Sequence, residues 1–113
     1  MEVVKKEKDL KWAPHPFLSI QIMHLLTQKD DQADITCFLV KVPKGTSIEE
    51  HVHPTQEDII YVMQGKGKIW IDGYGDFGIE KGTLIRVPKN TRHRMYEVTE
   101  ELLNFDVFSP PLF

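Results

Sequence analysis

His51, Val52 and His53, with Glu57 and Asp58 close behind and His93 well downstream, are the residues of this chain whose types and spacing can do chemistry. Successive side chains of a β-strand point to opposite faces, so the two histidines of a His-x-His run project to one side, about 6.6 Å apart along the chain. Both imidazoles can then converge on one ion. A third imidazole, from His93, and one carboxylate, Asp58 or Glu57, would complete a set of nitrogen and oxygen donors. Imidazole is a borderline ligand, so the set suits one divalent transition metal ion (Mn, Fe, Co, Ni, Cu or Zn) better than Ca or Mg, which prefer all-oxygen cages. Nothing in the residue types chooses within that list. Taken alone, a His-x-His pair fits two polar side chains on a wet sheet face equally well. Gly45 before it, Pro54 after it, the acidic pair and Gly65 beyond give it a setting that a plain surface strand does not need.

Strands must position these residues. β-branched and aromatic runs with partial alternation predict strands over 19–26, 35–42, 58–64, 68–72, 83–87, 92–98 and 103–108, with almost no helix. Pro43, Lys44 and Gly45 break the second run, Gly65 through Gly67 turn the chain after the third, and Gly73, Gly75 and Gly78 mark a longer turn region. Strands at intervals of about 8 to 12 residues with glycine turns predict an all-β sandwich or barrel.

The 113 residues, 41% of them hydrophobic, predict a single domain, 1–113. A formal net charge of −3, with no basic stripe interleaved with aromatics, gives no footprint for nucleic acid. No stretch reaches the 18 apolar residues of a membrane span, and the start of the chain, Met1 to Trp12, is charged rather than apolar, so no membrane partner is expected. The single cysteine, Cys37, lies in the apolar run Cys37, Phe38, Leu39, Val40 and reads as a small buried hydrophobe. With no internal disulfide to form, a reducing, cytoplasmic location is the expectation.

Two segments then carry a family resemblance. Gly45, five residues, His51, Val52, His53, four residues, Asp58, six residues, Gly65 resembles the first motif of the cupin superfamily. Gly82, five residues, Pro88, Lys89, Asn90, two residues, His93, three residues, Glu97 is similar to the second. The resemblance covers roughly 34–110, and it implies a jelly-roll β-barrel (a double-stranded β-helix) with a short extended N-terminal arm, 1–18. It also implies that His51, His53, Asp58 and His93 hold the metal. The sequence departs from the family in two places. The acidic position is usually glutamate; counting back from Gly65 gives Asp58, and counting forward from His53 equally allows Glu57, of which only one can face inward. Glu97 stands where the family often has asparagine, a position that is not a ligand.

Ile60 and Val62, sharing a face with Asp58, and Met95, sharing one with His93, are expected to line a substrate pocket, joined by Phe105 or Asp106 depending on register. His24, on the face of Ile20, Ile22 and Leu26, reads as a core or pocket-lining histidine, and His15, between Pro14 and Pro16, as a surface loop residue. Trp12 and Phe17 either contact their own core or fold over a neighbouring subunit, and the outward apolar residues Tyr61 and Met63 point to a homodimer. Three imidazoles and a carboxylate leave one or two positions open on a six-coordinate ion for a small oxygen-rich organic molecule. The resemblance implies a metal-dependent protein that binds or transforms such a molecule, in the manner of a dioxygenase or isomerase. The alternatives are a non-catalytic metal- or ligand-binding sensor and a purely structural barrel, because a fold does not name a reaction.

Overall fold

The computed structural model describes residues 2–113, and its architecture is the expected all-β jelly-roll barrel. Eight strands follow in order: β1 (Ala13–Pro14), β2 (Gln21–Leu26), β3 (Thr36–Val42), β4 (Ile48–His51), β5 (Glu57–Ile71), β6 (Gly75–Glu80), β7 (Leu84–Val87) and β8 (His93–Ser109). A 3₁₀ turn at Glu7–Asp9 and one helical turn, α1 (Gln28–Asp31), are the other regular elements. All pairings are antiparallel. The main path runs β1-β2-β3-β8-β5-β6, while β4 adds to β8 and β7 to β5. Among the described residues no helix is long and apolar enough to cross a membrane.

The two long strands, β5 and β8, pair from Glu57 with Ser109 at one end to Ile71 with His93 at the other. Each serves two partners in turn, so together they are the hinge of the barrel. Their burial patterns show how. Along β5, Asp58, Ile60 and Val62 are buried, then Ile69 and Ile71; along β8, His93, Met95 and Val98 are buried, then Leu102, Asn104, Asp106 and Phe108. The inward set changes parity midway in both strands, and the register shifts fall between Val62 and Lys68. A β-bulge inserts a residue and re-aims everything after it. Gly65, at φ +99°, and Glu97, at φ +46°, supply the left-handed backbone. The predicted turn at Gly65–Gly67 is therefore a bulge inside one continuous strand. The turn region at Gly73–Gly78 likewise proves to hold a strand, β6, for alternation is weak where glycines replace side chains.

Glu97 thus departs from the family's asparagine at a position of positive φ, where asparagine is the better-tolerated residue. Its side chain pairs with Lys68 at 2.9 Å on the outer surface, away from the barrel interior.

The core is the inner face of this wrapped sheet: Ile22, Phe38, Val40, Val42, Ile60, Val62, Ile69, Val87 and Leu102 are all buried to 2% exposure or less. Cys37 faces the other way and is half-buried. The N-terminal arm contacts β2, β3 and α1. Ala13 and Pro14 pair with Ile22 and Gln21, Lys5 holds both carboxylate oxygens of Asp31 at 2.9 Å, and Lys41 lies 4.2 Å from the centre of the Trp12 ring. Phe17 remains exposed.

Candidate metal centre

β4 ends at His51, and the chain leaves the strand with His53 still turned to the same side. His51 is paired across the β4–β8 ladder with His93, the first residue of β8. That cross-strand register brings the ring centres of His51 and His93 to 4.2 Å, with His53 at 5.0 Å from His51 and 5.5 Å from His93. The loop before β8 is tied to the same place, for the Asn90 N–H donates to the His53 carbonyl at 2.7 Å. One donor nitrogen from each of the three histidines lies within 4.8 Å of the others.

Second contacts set which nitrogen faces inward. A backbone carbonyl only accepts, so a ring nitrogen hydrogen-bonded to one must carry its proton. His51 Nδ1 donates to the Glu49 carbonyl at 2.7 Å and His93 Nδ1 to the Thr91 carbonyl at 2.9 Å. In both rings the Nε2 lone pair is left for the interior, and His93 Nε2 is fully buried with no hydrogen-bond partner. An orphaned buried acceptor is costly unless something unseen satisfies it. Burial, and after it the neighbouring His93, pushes His51 down to about 4; burial, and after it His51 and His93, pushes His53 down to about 3. Both imidazoles are therefore neutral at physiological pH, as a metal requires. Charge, tautomer and spacing all fit an ion.

The acidic pair divides between the two faces of β5. Asp58 is 3% exposed, with Oδ2 at 3.7 Å from His93 Nε2 and Oδ1 unpartnered, whereas Glu57 turns outward onto Arg86. Asp106 joins Asp58, because the β8 bulge turns Asp106 inward and leaves Phe105 on the outer face. Sequence alternation alone left that choice open, since the parity of the far half of β8 depends on a bulge that the residue pattern does not announce. Asn104 follows on the same face, donating to Met95 Sδ at 3.6 Å.

These groups surround a small chamber of about 30 Å³, lined also by Leu18, Ile20, Phe38, Val40, Ile60, Met95 and Phe108. Ile60 and Met95 are among its lining residues. Val62, expected beside them, is fully buried in the core and does not line it. Two histidines also differ from expectation. His15 is no surface residue: it borders the chamber, its Nδ1 accepts from the Phe17 and Leu18 N–H groups, and its ring lies edge-on to Phe113. His24, read as core or pocket-lining, sits beyond the barrel rim, exposed, with its ring edge-on to Phe113. Neither placement was legible because both depend on the arm and the C-terminal segment crossing the same end of the barrel. Phe113 is pinned there by Thr36, whose hydroxyl donates to its carbonyl and accepts from its N–H.

The carboxyl of Asp106 is held well above its ordinary range, first by burial and then by the Asp58 carboxylate beside it. A raised carboxyl keeps its proton in the fold at pH values where the unfolded chain has lost it. The stability it contributes is complete in acid and is lost as pH rises through the folded value. Asp106→Asn has no such proton to lose. Urea unfolding of the metal-free proteins should give similar stabilities near pH 4, with the variant ahead by on the order of 1–2 kcal/mol at pH 8. Parallel curves across that range would mean that Asp106 ionises freely.

Comparison with known proteins adds a family to this geometry. A family model described as a cupin domain matches residues 38–108. An uncharacterised protein of Methanocaldococcus jannaschii is 33% identical over 57 residues, which are 50% of this chain and 45% of that relative, so the match spans less than half of the relative's length. Among solved structures, a predicted oxalate decarboxylase from Thermotoga maritima superimposes with a TM-score of 0.82 at 18% identity, covering 96% of this chain and 99% of that one. KdgF from a Halomonas species gives 0.78 at 24% identity, covering 93% and 92%. At these identities the likeness of the structures speaks for the fold.

Proposed function

The chain belongs to the cupin domain family, and from that premise we propose that it binds one divalent transition metal ion through His51, His53, His93 and Asp58. At the remaining positions it binds or transforms a small oxygen-bearing organic molecule, in the manner of a dioxygenase or isomerase. The observation that carries this reading is the convergence of three imidazoles, two of them with Nδ1 tied to a backbone carbonyl so that Nε2 faces inward, beside a buried carboxylate. A bound ion supplies Lewis-acid activation of an oxygen donor. The chain's own residues do the rest: two backbone carbonyls orient the rings, Ile60 and Met95 keep the site dry, and Asp106 holds a proton within the chamber. Asp106 also favours turnover over a passive sensor, since a pure binding barrel needs no further acid or base beside the ligand set.

Elemental analysis of the untagged protein tests the first step and should find close to one transition metal per chain. The choice of carboxylate is tested by two variants. Asp58→Asn is expected to weaken metal binding by about 10- to 100-fold, and Glu57→Gln, which only frees Arg86, to leave it within about twofold. Equal losses in both, or a loss confined to Glu57→Gln, would overturn the assignment.

The outward face of β3, β8 and β5 supports a homodimer. Leu39, Phe105, Tyr61 and Met63 adjoin Leu10 and Leu25 there, with Tyr61 and Met63 still 46% and 40% exposed. Sedimentation should give twice 13.1 kDa, and Tyr61→Lys with Met63→Glu should give the single chain. A wild-type protein that sediments as one chain would end this reading. A cytoplasmic setting is proposed on the same footing, from a lone and half-buried Cys37.

A further inference from the structure

The chamber beside the histidines is smaller than an organic molecule. Its free space is about 30 Å³, on the order of a single water. An organic ligand of the ion must therefore displace part of the wall. Apart from the proposed ligands, every wall residue from Phe38 to Phe108 sits on β3, β4, β5 or β8 and is held by the ladders of those strands. His15, Leu18 and Ile20 are different. All three lie in the loop 15–20 that joins β1 to β2.

That loop is folded about its own histidine. The His15 N–H donates to the Ile20 carbonyl at 2.9 Å and closes the base, next to the pairing of Pro14 with Gln21. His15 Nδ1 accepts from the N–H groups of Phe17 and Leu18 at 3.0 and 3.1 Å, which holds the tip as one piece. Successive side chains leave the tip in opposite directions: Phe17 is 82% exposed, while Leu18 packs against the core and lines the chamber. The bonds that shape the loop are thus internal to it. Lighter contacts hold it down. They are the Leu18 side chain, the edges of the His15 ring against Phe38 and Phe113, and Ser19, which meets the Glu49 carboxylate through its hydroxyl and N–H. Swinging the loop outward gives up the burial of one leucine and those contacts, and every ladder hydrogen bond stays in place; moving any other part of the wall breaks a sheet.

We propose that the loop 15–20 is a strap that swings away to admit any molecule larger than water to the metal centre, and that Leu18 is the residue whose packing sets how often it opens. His15 is the positioning residue that carries Leu18 to the chamber, acting through the backbone of the tip. This rests on the metal reading above and goes on from it to how the centre is reached.

The test uses the full chain loaded with cobalt(II), whose visible absorption reports ligand exchange, and two probes with one metal-binding head and one charge but bodies of different bulk, acetohydroxamate and benzohydroxamate. Stopped-flow mixing measures the rate of binding as the probe concentration rises. If opening precedes binding, both rates level off at the same ceiling, because the strap and not the probe limits them. Leu18→Ala should raise that ceiling by about tenfold, since it removes most of the packing that keeps the strap down. Leu18→Val should raise it by less, and it serves alone if the alanine variant does not fold. Phe17→Ala, on the outward side of the same tip, should leave the ceiling within about twofold. Rates that climb without a ceiling, ceilings that differ between the two probes, a ceiling unmoved by either Leu18 variant, or one raised equally by Phe17→Ala overturn the inference while the metal reading stands. Failure of the wild-type chain to take up cobalt, nickel, manganese or zinc would instead bring down the metal reading, and this inference with it.

Discussion

His93→Ala is expected to lower the affinity for a divalent transition ion by at least about 100-fold, the largest functional effect of any single substitution in this chain. His93 pairs with His51 across β4–β8, faces His53 from the other side and stands 3.7 Å from Asp58, so it touches every other member of the proposed set. Its removal takes away one donor and also the group that keeps the other three at their spacing. The metal-free fold should lose much less. The variant gives up one hydrogen bond to Thr91 and some buried volume, but it also relieves an unpartnered nitrogen, so a change of about 1–3 kcal/mol is expected. Competition against a chromophoric chelator measures the affinity, and urea unfolding in EDTA measures the stability. Arg94→Ala, on the outer face of the same strand, is the control and should leave the affinity unchanged. Retention of tight binding by His93→Ala would remove the centre from the place proposed for it.

Gly65→Ala is expected to be the most damaging single methyl group that can be added to the fold. A Cβ there would lie 2.1 Å from the Glu101 carbonyl oxygen, 2.6 Å from its carbon and 2.7 Å from the Leu102 Cα, all of them backbone atoms that no rotamer change can move. The residue also holds φ at +99°, where an alanine is strained in open space. Relief requires β5 and β8 to separate at the bulge that sets the parity of both. A loss above about 4 kcal/mol is expected, a large part of the 5–15 kcal/mol typical of a whole domain, and the visible result would be an insoluble product or a collapse of the thermal midpoint. Gly78→Ala adds the same methyl where nothing lies within 4 Å and φ is not positive, and it should change stability by less than about 1 kcal/mol. A well-folded Gly65→Ala protein would show that β5 and β8 do not approach this closely.

The sequence pattern was most informative where chemistry and strand period coincide. Two histidines spaced by one residue, a third after a glycine and a proline, and an inward apolar set on β5 are all local facts, and the structure brings His51, His53 and His93 together. Asp58 and Glu57 differ by one position on a strand, so a single observation of burial separates them, yet residue types alone could not. Asp106 and Phe105 were undecidable for a related reason: the bulge at Glu97 changes the count between His93 and Asp106, and bulges arise from the meeting of two strands rather than from either one. β4 and β6 escaped notice because one is four residues long and the other is interrupted by glycine. The placing of His15 and His24 around Phe113 is tertiary through and through, since three separate segments must cross one end of the barrel before those rings meet.

The long pairing of β5 with β8 also bears on how the molecule is made. Its partners lie tens of residues apart along the chain, and the members of the proposed metal set are spread over β4, the turn that follows it, β5 and β8, so no single strand or hairpin of neighbouring strands carries the set. Folding must close large loops before any ligand finds its neighbours, a topology associated with slow folding. The ion proposed above, recognising only the finished arrangement, would not hasten that search; it would act afterwards, as a clasp that retards unfolding, and would make the lifetime of the folded protein a function of how much metal its surroundings supply.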